Sequence, residues 1–115
     1  MNEKPLDTEE FMNRVQDDKD LFFELLDIFV QDFQTKRQEL KEAIDKNDSQ
    51  TIEHVAHFLK GSCGNISAKT LKATFTKLEE KGTKGYLEGL HQDLEDVDQK
   101  FEELAIYIGE LRNRR

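Results

Sequence analysis

Apolar side chains recur at steps of three and four residues along almost the whole chain, and strict alternation is absent over any useful length. A three-or-four rhythm gathers side chains on one face of a helix, whereas alternation marks a half-buried strand. The pattern therefore predicts an all-α protein. Asp7-Thr8-Glu9-Glu10 reads as an N-cap with an acidic first turn, which suits the helix dipole. It opens a short stripe of Phe11, Met12 and Val15. A second start at Asp17-Asp18 leads into Leu21, Phe22, Leu25, Leu26, Phe29, Phe33, Leu40 and Ile44. The polar gap from Gln34 to Glu39 is expected to face solvent or a neighbour's edge. Asp48 or Ser49 caps a third stripe of Ile52, Val55, Ala56, Leu59 and Cys63. A fourth comprises Ala68, Leu71, Phe75 and Leu78, with Lys81-Gly82 expected to close it, because glycine at C′ stops a helix without steric penalty.

The last segment is the most regular: Leu87, Leu90, Leu94, Val97, Phe101, Leu104, Ile108 and Leu111 alternate steps of three and four. Such a heptad seam fits a long coiled coil. Helices of this length joined by short connections also fold back on one another, and helix number and length favour that solution. The expected fold is an antiparallel up-and-down four-helix bundle with a short extra N-terminal helix. It forms one domain over residues 1–115, with 1–6 flexible and 112–115 a frayed tail. Phe22, Leu25, Phe29, Ile52, Leu59, Leu71, Leu78, Leu94, Val97, Phe101 and Leu104 are expected in its core.

Composition narrows the function. The 115 residues suffice for one domain with a real core. Charged residues are 37% of the chain and the net charge is −8. An acidic surface repels phosphate backbones, so nucleic-acid binding is not expected. No apolar run approaches the ~20 residues of a membrane span, and Met1 to Thr8 lacks the apolar stretch of a secretory signal. Cys63 is the single cysteine, so no internal disulfide is available and no CxxC or Cys/His metal spacing exists. A cytoplasmic protein is expected, without membrane insertion.

Most candidate chemistry dissolves on inspection. The segment Gly64 to Thr70 is one residue short of a phosphate-binding loop, lacks its second glycine and follows no strand. The acidic run at Asp93, Glu95, Asp96 and Asp98 places Asp98 where a calcium loop needs glycine, and Leu104 at its twelfth position. Asn47-Asp48-Ser49 and Asn65-Ile66-Ser67 match the glycosylation pattern, which carries no meaning in a cytosolic chain. His54 and His57 alone do not make a metal site, and His91 stands on a polar stretch.

The segment Ala56 to Gly64 is different. On a helical wheel with Ile52, Val55, Ala56, Leu59 and Cys63 inward, Glu53, His57, Lys60, Gly61 and Gly64 fall on or beside one outward stripe. Glycine inside a helix costs about 1 kcal/mol relative to alanine. Either the helix ends near Lys60 and the glycines form its last turn, or they let another protein's backbone approach the imidazole. An exposed imidazole is a nucleophile, substantially neutral near pH 7. It can take a phosphoryl group on a ring nitrogen while a nearby lysine stabilises the added charge. No hydrolytic triad and no nucleotide-binding element accompanies it, so the remaining machinery would belong to a partner.

These residues resemble the histidine-containing phosphotransfer (HPt) domains of bacterial multistep phosphorelays. The family pattern A-H-x-L-K-G-[SA], then a small residue and N-[IL]-G-A-x-x-L, stands here as Ala56-His57-Phe58-Leu59-Lys60-Gly61-Ser62, Gly64-Asn65-Ile66-Ser67-Ala68 and Leu71. Flanking matches run from Asp20-Leu21 to Asn47-Asp48 and on to Leu78-Glu79 and Lys81-Gly82. One departure is Ser67, where many members have glycine; it offers an N-cap for a helix starting at Ala68.

The resemblance implies that His57 is the phosphoryl acceptor and that Lys60 lies beside the phosphoryl group. Gly61, Gly64 and Phe58 would form the receiver-docking surface, and Ser62 belongs to the motif. It further implies that receiver domains of a hybrid histidine kinase and a response regulator are the partners. They would supply the aspartate and Mg²⁺, so this chain would need no cofactor, would act as a monomeric carrier and would not be an enzyme. Two other readings compete. A non-catalytic bundle adaptor differs at His57 alone, and a homodimeric coiled coil on the Leu87–Leu111 seam differs in shape.

Overall fold

The computed structural model describes residues 4–114, which form five α-helices and, among the described residues, no strand. They are α1 (Thr8–Arg14), α2 (Lys19–Asp45), α3 (Ser49–Asn65), α4 (Lys69–Lys84) and α5 (Leu90–Asn113). Aspartate starts the first three: the carboxylates of Asp7, Asp18 and Asp48 accept from the amides of Glu10, Leu21 and Thr51. Each satisfies one of the amides that a helix start leaves unbonded. None of the described helices is long and apolar enough to cross a membrane.

Cross-helix contacts give the direction of each pair. Along α2 and α5, Asp27 meets Arg112, Phe33 stacks on Phe101 and Arg37 pairs with Asp98. Along α3 and α4, Glu53 meets Thr83, and His57 and Lys60 meet Glu79. Along α4 and α5, Thr74 reaches Asp96 and Lys81 reaches Asp93. In every case numbers rise on one helix as they fall on the other, so the partners run antiparallel. The core between them includes Phe22, Leu26, Phe29, Ile52, Leu59, Leu71, Phe75, Leu78, Val97 and Leu104. Cys63 lies wholly inside it, and burial pushes its thiol up to about 12.

The polar gap of α2 is used. Arg37 donates two hydrogen bonds to Asp98, at 3.0 and 2.7 Å, and ties α2 to α5 where apolar contacts lapse. Several expectations need correction. Leu25 and Phe101 are only partly buried, although the Phe101 ring lies parallel to Phe33 with centroids 3.8 Å apart. Gly82 does not end α4; the helix runs on to Lys84 and closes at Gly85, whose φ of +68° suits a residue without Cβ. Gly82 is instead pressed against α3: a Cβ there would lie 2.7 Å from the Glu53 amide nitrogen. Leu87 precedes α5, which starts after Gly89.

Ser67 does not cap α4. It adopts φ +61° at the corner between α3 and α4, and Ala68 holds the cap position without a side-chain bond. That backbone conformation explains why glycine suits the position. The expected loose ends lie partly outside the described residues. Within them, Leu6 is fully buried, and the Asp7 amide donates to the Ser67 carbonyl at 2.9 Å. At the other terminus Arg112 pairs with Asp27 and lies over the Phe23 ring, within a helix that continues to Asn113.

Candidate functional site

Whether α3 stops before its glycines decides what they do. It does not: the helix continues through Gly61 and Gly64 to Asn65. Arg14 from α1 donates to the carbonyls of Gly64 (2.5 Å) and Asn65 (3.0 Å), covering acceptors that a helix end otherwise leaves to solvent. Neither glycine is demanded by packing. A Cβ at Gly61 would meet nothing within 4 Å, and one at Gly64 only the flexible end of Lys72, at 3.5 Å. The fold has room for a side chain at both positions, so packing does not account for the two glycines.

His57 stands on this surface with 69% of its side chain exposed. The structure brings it together with Lys60 through a residue that sequence reasoning missed. Glu79, facing them from α4, approaches His57 Nδ1 with Oε2 at 2.5 Å and accepts from Lys60 Nζ with Oε1 at 2.5 Å. A carboxylate only accepts, so Nδ1 carries the hydrogen and donates it. In the neutral ring the lone pair then lies on Nε2, the nitrogen that Glu79 leaves free. The Lys60 hydrogen bond holds the Glu79 carboxyl below its ordinary 4.5, opposed by burial and helped by the bond from His57. In the sequence Glu79 stood only among the flanking matches, 22 positions from His57, with no role at the site.

The other expected residues divide. Phe58 is 43% exposed beside His57, and Lys36 of α2 lies over its ring at 4.9 Å. A shallow hollow next to Lys60 is lined by Arg14, Gly61, Gly64, Asn65 and Lys72. Three cations around two glycines make this corner basic in a chain of net charge −8. Ser62 turns inward on its own helix and donates to the Phe58 carbonyl at 3.1 Å. His54 lines the groove between α2 and α3 with Lys36 and Glu39, while His91 stands 3.9 Å from Asp45. Asp45 in turn accepts from Lys41 at 2.8 Å, so His91 has a carboxylate shared with a lysine as His57 does, but at 3.9 Å rather than 2.5 Å. Among the described residues, no group of three or more His, Cys, Asp or Glu is arranged to hold a metal ion.

Known proteins resemble this chain in sequence and in fold. A family model described as Hpt domain matches residues 24–114. No curated protein sequence matches the chain. Among solved structures, the chain resembles histidine-containing phosphotransfer protein B (HptB) from Pseudomonas aeruginosa PAO1. The TM-score is 0.90 at 27% sequence identity, over 99% of each chain.

Proposed function

The chain belongs to the Hpt domain family and acts in phosphorelay signal transduction; on that premise we propose that His57 is the residue that accepts and donates the phosphoryl group. Its partners on this reading are the receiver-domain aspartates of a hybrid histidine kinase and of a response regulator. The observation that carries it is the pairing of an exposed imidazole, its Nδ1 hydrogen engaged by Glu79, with a glycine-lined approach that packing does not require.

Transfer begins with the Nε2 lone pair attacking the phosphorus of a receiver's aspartyl phosphate. A P–N bond forms, the P–O bond breaks, and the electron pair returns to the aspartate as carboxylate. Lys60, one helical turn from His57, offers its ammonium to the phosphoryl oxygens. Gly61 and Gly64 let the receiver come close enough for in-line attack, where a displacement of about 1 Å costs on the order of a hundredfold in rate. Phe58 supplies apolar contact beside them, and Ser62 supports the helix turn. The receiver brings the aspartate and its Mg²⁺, so this chain carries the group as a monomer in the cytoplasm and is no enzyme by itself. Its platform is an up-and-down bundle of α2 to α5, with α1 as the extra N-terminal helix.

Incubation with a panel of phosphorylated receiver domains tests the assignment. Label should appear on His57 alone, as an acid-labile, base-stable phosphoramidate. His57→Gln should abolish it while leaving helicity and melting temperature close to wild type, because an exposed side chain contributes little to stability. Lys60→Ala should slow transfer without abolishing it. Label that survives in His57→Gln, or that maps to His54 or His91, would hand the case to the adaptor reading.

A further inference from the structure

Lys72 stands apart from its neighbours on α4. Lys69 reaches Asp7 and Glu10, while Lys77 and Lys81 share Asp93. Among the described residues no carboxylate pairs with Lys72. Its ammonium reaches across to α3 instead, where it would lie 3.5 Å from a Gly64 Cβ. Arg14 comes to the same place from α1 and spends Nη1 on the carbonyls of Gly64 and Asn65. Its Nη2 stands 3.6 Å from Glu10 Oε1, too far for a hydrogen bond, so the guanidinium keeps donors to spare. Lys60, the third cation of the hollow, is already committed to Glu79. Two exposed cations thus flank Gly64, opposed only by Glu10 at that distance, in a chain whose net charge is −8.

Resting on the phosphotransfer reading of His57, we propose that Arg14 and Lys72 seat an aspartate or glutamate side chain of the docked receiver, and that this ion contact fixes how the receiver is turned over His57. Placement decides the class of anion. Gly64 lies seven residues beyond His57 on α3, about 10 Å along the helix. A phosphoryl group at Nε2 is too far away to fill the hollow, and Lys60 is the cation beside it. The anions a protein partner can still bring to that distance are carboxylates, whose two oxygens match the planar fork of a guanidinium. An acidic chain penalises a partner carboxylate over most of its surface, so one attractive corner carries orientation as well as affinity. The proposal also gives α1 a task beyond covering the core, which is to carry Arg14 to the end of α3.

The seat touches no reacting atom, so its loss should show in how the receiver binds and not in how fast the phosphoryl group crosses. The test uses the receiver domain that labels His57 fastest, phosphorylated with acetyl phosphate and freed of excess reagent. Single-turnover transfer to the full chain is followed as receiver concentration rises, at low salt and in about 0.5 M NaCl, where screening shortens to about 4 Å. Lys72→Gln should raise the half-saturating receiver concentration about three- to fivefold at low salt, leaving the plateau rate and melting temperature unchanged. The difference should fade in high salt. Lys72→Arg should behave as wild type, and Lys72→Glu should bind more weakly than Lys72→Gln. Lys84→Gln removes the same charge from the same helix, in the hollow beside Tyr86, and should change nothing. One receiver carboxylate should complete the pair: reversed to lysine, it should lose affinity for wild type and regain it with Lys72→Glu.

A Lys72→Gln protein that saturates like wild type at low salt overturns the seat and leaves His57 as acceptor. So does a defect that persists undiminished in high salt, or one that Lys84→Gln shares. If no receiver labels His57 in the wild-type chain, the phosphotransfer reading itself fails and the seat fails with it.

Discussion

Gly61 and Gly64 allow stability and function to be pulled apart one residue at a time. A Cβ at Gly61 meets nothing, and the position is helical. Gly61→Ala should therefore raise stability by about 0.5–1 kcal/mol, the helix-propensity difference, while slowing phosphoryl transfer. Thermal melts and label transfer on one sample check both halves. Gly64→Gln should likewise leave the fold nearly intact, because the added side chain displaces only the tip of Lys72. Transfer at the wild-type rate in that variant would contradict close approach by the receiver. Ser67 poses the inverse case. A non-glycine residue in the left-handed region carries on the order of 1 kcal/mol of strain, so Ser67→Gly should stabilise by up to about that amount, read from the denaturation midpoint.

α3 and α4 share the site, and their register depends on Gly82. Its bare Cα lets α4 press against the Glu53 backbone, with room for no Cβ. Gly82→Ala should cost about 1–3 kcal/mol as the helices part, and it should also weaken the Glu79–His57 contact one turn away, seen as a change in the His57 ring ¹⁵N shifts. α1 is held by ionic contacts: Lys69 reaches Asp7 at 3.2 Å and Glu10 at 3.0 Å. The Asp7 carboxyl is lowered mainly by the Glu10 amide and then Lys69, and that of Glu10 mainly by Lys69. Groups so lowered stabilise the fold above their ordinary 3.8 and 4.5, and that contribution disappears as pH falls through the depressed values. Lys69→Met should thus destabilise at pH 7, by a margin that shrinks as pH falls through the depressed values. Helix starts at aspartate and the inward stripes were legible in the sequence, because capping and periodicity are local. The role of Glu79 was not, since it depends on how two helices 22 residues apart in sequence come into register. Gly82 misled for the same reason: only the packed pair distinguishes a glycine that ends a helix from one that lets a neighbour in.

The molecule measures 43 × 26 × 19 Å with a radius of gyration of 14.5 Å. That is close to the ~13 Å expected of a folded chain this long and slightly elongated along the 27-residue α2. Solution scattering should return a compact monomer; an extended dimer would revive the coiled-coil reading of the last helix. The stacked Phe33–Phe101 pair joins the two longest helices. As Phe101 is only partly buried, Phe101→Ala should cost about 2–3 kcal/mol, at or below the low end of the range for fully buried phenylalanine, with a loss under 1 kcal/mol arguing against the stacking. Cys63, fully enclosed and with its thiol pushed up to about 12, gives the whole fold a silent clock. A thiol reagent should find nothing to modify in the native protein, so the rate of labelling in excess reagent counts openings of the bundle directly. Because Cys63 shares its helix with His57, a docked receiver that steadies α3 would slow that clock, which turns an invisible side chain into a gauge of binding on the opposite face.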